Sequence, residues 1–358
     1  SIRFCDEVAK DPVHDMHERG NTNEITVSPG RELDNDYTLM TEHVCPVGAL
    51  TSKDFRFKAR VWFLKSSPGV CTGCATGCNT WVDHDPRYQR VYRLRPRDNE
   101  DVNKFWMCDD GMMTYHEVHE NRVLAPLAGR GGDRQEILRD DAIERAATRL
   151  GTADGSKVAV VLSAVHSTED NFALMKFAKD VLRTDRIYLA ARPDWEGDNI
   201  LRDKDHNPNR AGVLAVAGGA TPKPLEGLVE AVEAGDVDAV LALGHESAES
   251  DEDLAPLVQL EGVVVLASNT GALPEVASLV LPVSSWAEAD GTFTNRKGIA
   301  QTFRRAIPSP GRIEPAWQTL GAIAKAMGTD LGLTRLSDVR GAMSASGSTQ
   351  PKNLEAST

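Results

Sequence analysis

Three cysteines on one short loop and a fourth returning from afar constrain this chain more than any other feature. Cys71, Cys74 and Cys78 lie in Gly69-Val-Cys-Thr-Gly-Cys-Ala-Thr-Gly-Cys78 and Cys108 lies in Phe105-Trp-Met-Cys-Asp-Asp-Gly111, giving C-x2-C-x3-C-x29-C. Four thiols so arranged match the ligand count of a [4Fe–4S] cluster, and soft thiolates select iron–sulfur clusters or zinc over hard cations. Gly73 and Gly77 leave the loop room to wrap a bulky group and to aim amide N–H groups at the sulfurs, which tunes reduction potential. A structural zinc site is the competing reading, although zinc ribbons carry two C-x2-C pairs and this chain has a triplet and a single. All six cysteines lie between positions 5 and 108 of 358, so a metal-bearing N-terminal part is expected before a metal-free remainder. Ser1-Ile-Arg-Phe-Cys5 does not open like a signal peptide, which makes a disulfide framework the weaker explanation.

The charge balance narrows the partners. A net charge of -13 removes the basic footprint that nucleic acid requires. No apolar run reaches the roughly 18 residues of a membrane span, so no direct membrane insertion is expected.

Along the chain, residues 1–60 are polar and turn-rich and carry Cys5 and Cys45, while residues 61–125 hold the four cysteines with a strand-like alternation at Val91-Tyr-Arg-Leu-Arg95. Leu127-Ala-Gly-Arg-Gly-Gly-Asp133 reads as a linker. Beyond it, apolar strands are predicted at 157–162, 186–189, 237–243, 263–267 and 278–283, with helices at 137–150, 171–182, 225–234, 254–260 and 315–327. Ser167-Thr-Glu-Asp170 resembles a capping box for the second of those helices. Alternation of this kind implies an α/β domain with a doubly wound, mainly parallel sheet. The expected domains are 1–60, 61–125, 126–335 and a mobile tail at 336–358 rich in Ser, Ala and Thr.

Several stretches together resemble one family. Val44-Cys-Pro-Val-Gly-Ala-Leu-Thr-Ser-Lys53, Phe57-Lys-Ala-Arg-Val-Trp62 and the Cys71–Cys78 loop resemble the large iron–sulfur (G, or 75 kDa) subunit of NADH–quinone oxidoreductase, respiratory complex I. Arg3-Phe-Cys-Asp-Glu7 and Glu18-Arg-Gly-Asn21 fit the same family, and Ala287-Glu-Ala-Asp-Gly-Thr-Phe-Thr-Asn-Arg-Lys-Gly298 with Gln301 is similar to a segment of molybdopterin oxidoreductases. The resemblance implies that Cys71, Cys74, Cys78 and Cys108 hold the extra [4Fe–4S] cluster of some bacterial members, off the main electron path. It implies that Cys45 is the distant fourth ligand of a second [4Fe–4S] cluster whose other three ligands are absent: Ser1 stands where the third would fall. A buried spare thiol is the alternative for Cys45. Cys5 matches no ligand. The chain then looks like the C-terminal piece of a longer polypeptide: a remnant of an upstream iron–sulfur region, a cluster module and a degenerate molybdopterin-oxidoreductase-like domain. The implied role is electron transfer and scaffolding, with no catalytic acid, base or nucleophile of its own. The implied partners are the NADH-oxidising flavin subunit and other hydrophilic-arm subunits, at the cytoplasmic face of a bacterial inner membrane, peripherally bound.

The same resemblance allows a catalytic molybdenum enzyme fragment, such as one of a formate dehydrogenase, or a subunit whose cluster never turns over. Molybdenum enzymes of this type carry Lys two residues after the fourth Cys. Here Asp110 stands there, and an acid repels pterin phosphates, so no molybdopterin is expected. The remaining candidates have bland readings. His116 with His119 and His14 with His17 have a spacing that suits a shared metal but also a solvated surface. Gly244-His-Glu246 ends a predicted parallel strand, where such sheets bind ligands. Ala217-Gly-Gly-Ala-Thr221 reads as a loop, Glu249–Asp253 as an acidic helix start, and Gly291-Thr-Phe-Thr-Asn295 as a turn supporting the fold. Trp62, Trp81 and Trp106 are expected to shield the cluster from water.

Overall fold

The computed structural model describes residues 1–18 and 20–347. The N-terminal stretch is built from a π-helical turn at Phe4–Val8, an antiparallel hairpin of β1 (His14–His17) and β2 (Glu24–Val27), and a short helix α1 (Leu39–His43). A three-stranded meander follows: β3 (Lys65–Val70), β4 (Asn79–Asp85) and β5 (Arg90–Pro96), in that order and antiparallel. Its first connection is the cysteine loop. Its last strand leads to α2 (Asp109–Met113) and a 3₁₀ turn at Thr114–Val118.

The larger part carries an eight-stranded sheet. Its elements in chain order are β6 (Leu127–Ala128), β7 (Gln135–Glu136), α3 (Arg139–Thr152), β8 (Val158–Ser163), α4 (Thr168–Phe177), β9 (Ile187–Ala190), α5 (Arg210–Val216), β10 (Lys223–Pro224), α6 (Glu226–Glu233), β11 (Ala239–Leu243), β12 (Gly262–Ala267), α7 (Ala272–Val276) and β13 (Leu279–Pro282). The strand order is β10-β9-β8-β11-β12-β13-β6-β7, parallel from β10 to β13 and antiparallel at β6 and β7. A separate hairpin of β14 (Gly291–Thr294) and β15 (Ala300–Phe303) precedes α8 (Ala316–Ala326) and α9 (Leu336–Ala345).

The alternation of the strands explains why this sheet is wound on both faces. Val158, Val160, Leu162, Leu241, Leu243, Val264 and Leu266 pack beneath α3, α4, α8 and α9. Their neighbours Ala159, Val161, Val240, Ala242, Val263 and Val265 face the other way, against Leu228 and Val232 of α6, Leu257, and Leu273 of α7. Each fully buried Leu or Val contributes about 1.5–3 kcal/mol relative to exposure, so a strand apolar on both faces is stable only between two helical layers.

Three expectations change. The glycine-rich stretch at 127–133 is no free linker: β6 pairs with β13, and Arg130 donates to the carbonyls of Val276 and Leu260. The helix expected at 254–260 is a 3₁₀ turn at Ala255–Gln259. The tail expected from 336 begins with α9, whose Val339 and Met343 are buried against the core; that apolar pair outweighs the polar composition. The rest of that tail, from 348, lies outside the described residues, as does Arg19.

Candidate metal centre

The cysteine loop is the β3–β4 connection, closed by a 2.8 Å bond from Cys71 N–H to the Cys78 carbonyl. Cys108 reaches it as the N-cap of α2, where its sulfur accepts from Gly111 N–H at 3.4 Å; the Cys71 sulfur accepts from Gly73 N–H at 3.3 Å. All four thiols are buried, and none is paired in a disulfide. They act on one another electrically: burial pushes Cys71 and Cys78 well above the ordinary thiol range, and the neighbouring cysteines add to it. Burial also pushes Cys108 up to about 12, against the opposing Gly111 N–H. The structure thus brings Cys71, Cys74, Cys78 and Cys108 into one group.

Gly111 is where the two halves cross. A Cβ there would stand 2.9 Å from the Cys71 sulfur and 3.3 Å from that of Cys108. Gly77 has a φ of +64°, which turns the loop towards Cys78 in a conformation side chains rarely adopt. Four buried thiols fit a thiophilic group. Among the described residues, no three His, Cys, Asp or Glu side chains come close enough to hold a single metal ion.

Residues far along the chain close the cage. The β14–β15 hairpin clamps the loop: Gln301 Nε2 donates to Gly77 O at 2.8 Å, Arg296 N–H to Ala75 O at 2.9 Å and Asn295 Nδ2 to Thr76 O at 3.2 Å. Gly291–Thr294 is therefore a strand, not the turn expected from its composition, and Phe293 and Phe303 pack on Val70. From the β9–α5 loop, Ala75 N–H donates to Asp205 O, Thr76 Oγ1 to Leu201 O and Arg192 Nη1 donates to Thr72 O. Nothing in the local pattern of residues 191–209 announced this.

Other candidates fall elsewhere. Cys45 follows α1, half-buried, and is not among the thiols that act on one another; backbone N–H groups of Leu50, Ala49, Val47 and Gly48 hold it below the ordinary thiol range. It lines a cleft of about 440 Å³ with His43, Phe55, Met112 and Tyr115. Cys5 is buried 3.8 Å from His14 Nδ1. His14 and His17 point to opposite sides of their strand, one buried and one exposed. His116 lies 3.3 Å from Asp54 and His119 accepts from Val91 N–H, so that pair shares no ligand position either. Trp106 packs on Phe4 with ring centres 5.1 Å apart, but Trp62 is 73% exposed and shields nothing. Glu249–Asp253 forms a turn in which Ser250 and Asp253 bond to each other, not the start of an α-helix.

Gly244-His-Glu246 leaves the end of β11, and His245 and Glu246 line a cavity of about 40 Å³ with His166, Arg192, Ser285 and Trp286. That is room for a water or two. Burial lowers His166 to about 4 and His245 to about 3, so both are neutral at pH 7.

Comparison with known proteins fits this picture. Residues 1–51 match the family model of the ferredoxin-like domain of NADH-quinone oxidoreductase subunit 3, and residues 158–326 match the molybdopterin oxidoreductase model. The G subunit of NADH-quinone oxidoreductase from Mycobacterium bovis is 36% identical over 196 residues, which cover 53% of this chain and 24% of that protein. The Streptomyces coelicolor G subunit is 33% identical over 192 residues, covering 53% and 22%. The chain is a homologue of the G subunit of NADH-quinone oxidoreductase. Subunit 3 of the Thermus thermophilus enzyme is similar too, 30% identical over 192 residues, 53% of this chain and 24% of that one. The chain spans about a quarter of the length of these relatives. Among solved structures, acetylene hydratase from Pelobacter acetylenicus has the same fold, with a TM-score of 0.55 at 11% identity over 73% of this chain and 69% of that one. The α/β part of this G-subunit homologue is thus of molybdopterin-oxidoreductase type, and its ferredoxin-like segment points to an iron–sulfur protein. Residues 71–108 lie between the two matched segments, so the four-cysteine cage rests on its own geometry.

Proposed function

We propose that this chain is an iron–sulfur electron-transfer and scaffolding part of a proton-pumping NADH–quinone oxidoreductase. Cys71, Cys74, Cys78 and Cys108 would hold one [4Fe–4S] cluster, and Cys45 would contribute to a second. The observation that carries the first assignment is the enclosed group of four thiols, bridged at Gly111 and supplied with N–H donors from Gly73 and Gly111. For Cys45 the support is the set of N–H groups that favours its thiolate. Such a cluster supplies one-electron transfer when bound. The protein excludes water from it, fixes its ligands and surrounds it with charge. We assign three modules, 1–60, 61–125 and from 126 onward, with α9 packed on the core of the last. The partners in this reading are the flavin subunit that oxidises NADH and other hydrophilic-arm subunits, on the cytoplasmic side of a bacterial inner membrane. No helix among the described residues is long and apolar enough to cross a membrane.

The reading as a molybdenum enzyme has less support at the end of the parallel strands. The cavity of about 40 Å³ is crossed by the Arg192–Glu246 ion pair, and Asp110 is paired with Arg202. The deciding experiment is iron, zinc, molybdenum and acid-labile sulfide per chain on protein purified without oxygen, alongside Cys71→Ala. About four iron and four sulfide, lost in the variant, supports the reading. One zinc without sulfide sinks the electron-transfer role, and stoichiometric molybdenum overturns the exclusion of catalysis.

A further inference from the structure

The β9–α5 loop, residues 191–209, lies directly over the cysteine loop and brings two arginines to it. Arg192 is 8% exposed and donates through Nη1 to Thr72 O at 2.8 Å. Its charge acts on Cys71 and Cys74. Its other side is held by Glu246, with Nη2 to Oε1 at 2.6 Å, and by Glu117 at 3.3 Å. Arg202, from the same loop, acts by its charge on Cys108. It pairs with Asp36 at 2.5 Å and Asp110 at 3.3 Å and stacks over Trp195 at 4.4 Å. Each guanidinium is therefore shared between nearby thiols and two carboxylates, of which Glu117 and Asp110 also act on Cys71 and Cys108. In a chain of net charge -13, these two cations are placed at the one buried group that would become more negative on reduction.

We propose that Arg192 and Arg202 are positioning residues that set the reduction potential of the bound cluster, so that the α/β part acts as an electrostatic lid as well as a scaffold. The proposal rests on the cluster assigned above. One-electron reduction adds one negative charge to the cluster and leaves the protein's covalent structure unchanged. A guanidinium held near the sulfurs in a low-dielectric setting favours that added charge and raises the potential. Removing it also leaves carboxylates unpaired on the same side, which lowers the potential further. Removing a carboxylate does the reverse. A cleft past Gly73, Asp110, Arg192 and Trp195 leaves one side of the lid open to solvent, which limits each effect.

The test is an equilibrium redox titration followed by electron paramagnetic resonance, with iron and sulfide assayed on the same samples. The variants are Arg192→Gln, Arg192→Lys, Glu246→Gln and Arg202→Gln. Both Arg→Gln variants should lower the reduced-to-oxidised ratio at fixed potential by about tenfold, equivalent to about 59 mV for one electron. Arg192→Lys should stay near the parent, and Glu246→Gln should move the potential upward. Unchanged potentials with full iron content, or shifts of one sign in Arg192→Gln and Glu246→Gln alike, overturn the proposal. If Arg192→Gln loses its iron, the opposite signs expected of Arg202→Gln and Glu246→Gln still decide it. Absence of iron and sulfide from the parent protein would instead sink the cluster assignment, and the lid with it.

Discussion

Replacing Gly111 by Ala separates the needs of the polypeptide from those of the bound cluster. Gly111 sits inside α2, where Ala is favoured over Gly by about 1 kcal/mol. Against that gain stands a Cβ placed 2.9 Å from the Cys71 sulfur and 3.3 Å from that of Cys108, both inside ordinary van der Waals contact. Without metal, the Cys71 side chain can rotate away, so the two effects nearly cancel and the apoprotein's stability should change by less than about 1 kcal/mol. With a cluster, the sulfur is a fixed ligand and the overpacking cost of about 1–3 kcal/mol remains. We expect Gly111→Ala to unfold thermally like the parent when metal-free. Its iron and sulfide should be incompletely retained and lost faster to a chelator. Equal retention in variant and parent would refute the placement of these two sulfurs on either side of Gly111. So would a loss of several kcal/mol in the apoprotein.

Two further outcomes follow from the electrostatics of the fold. Glu288, 3% exposed, takes a two-point ion pair from Arg122 at 2.6 and 2.8 Å, which ties the segment before β6 to the segment before β14. Glu288→Ala should cost about 3–5 kcal/mol by stranding the Arg122 charge, read by urea unfolding; a cost below about 1 kcal/mol would mean the pair is solvated. Burial pushes Asp83 up, but Arg95, Ser66 and Arg93 outweigh it and hold its carboxyl below the usual range. A depressed folded pKa gives stability that is full above the unfolded value of about 3.9 and lost as pH falls through the folded value. The destabilisation of Asp83→Asn should therefore be largest near neutrality and shrink below about pH 4; a penalty independent of pH would contradict the assignment.

The cysteine spacing and the strand pattern were legible in the sequence because both are local. Four thiols at that spacing suggested one group, and strands apolar on both faces have few folds open to them. What the sequence concealed was the enclosure. Arg192 meets Thr72 and Gln301 meets Gly77 across long stretches of chain, and no periodicity encodes such a meeting. The Gly291–Asn295 segment looked like a turn because its Gly and Asn suit one. In place, Gly291 is a strand residue whose Cβ would collide with the Phe303 ring at 2.4 Å, so the glycine serves packing rather than bending. Trp62 misled for a similar reason: nearness in sequence to the thiols did not bring it to them.

The clamp of β14 and β15 on the cysteine loop also sets a timetable. The loop is made early, but Gln301, which donates to Gly77 O, comes about 220 residues later in the chain. At about 5–20 residues per second of synthesis, the thiols stand uncovered for roughly 10–45 s before their lid and clamp exist. If the thiols hold the cluster proposed above, that interval would be the opportunity for iron to be delivered. On the cluster reading proposed above, later delivery would be left with the cleft past Gly73 and Trp195 as its approach.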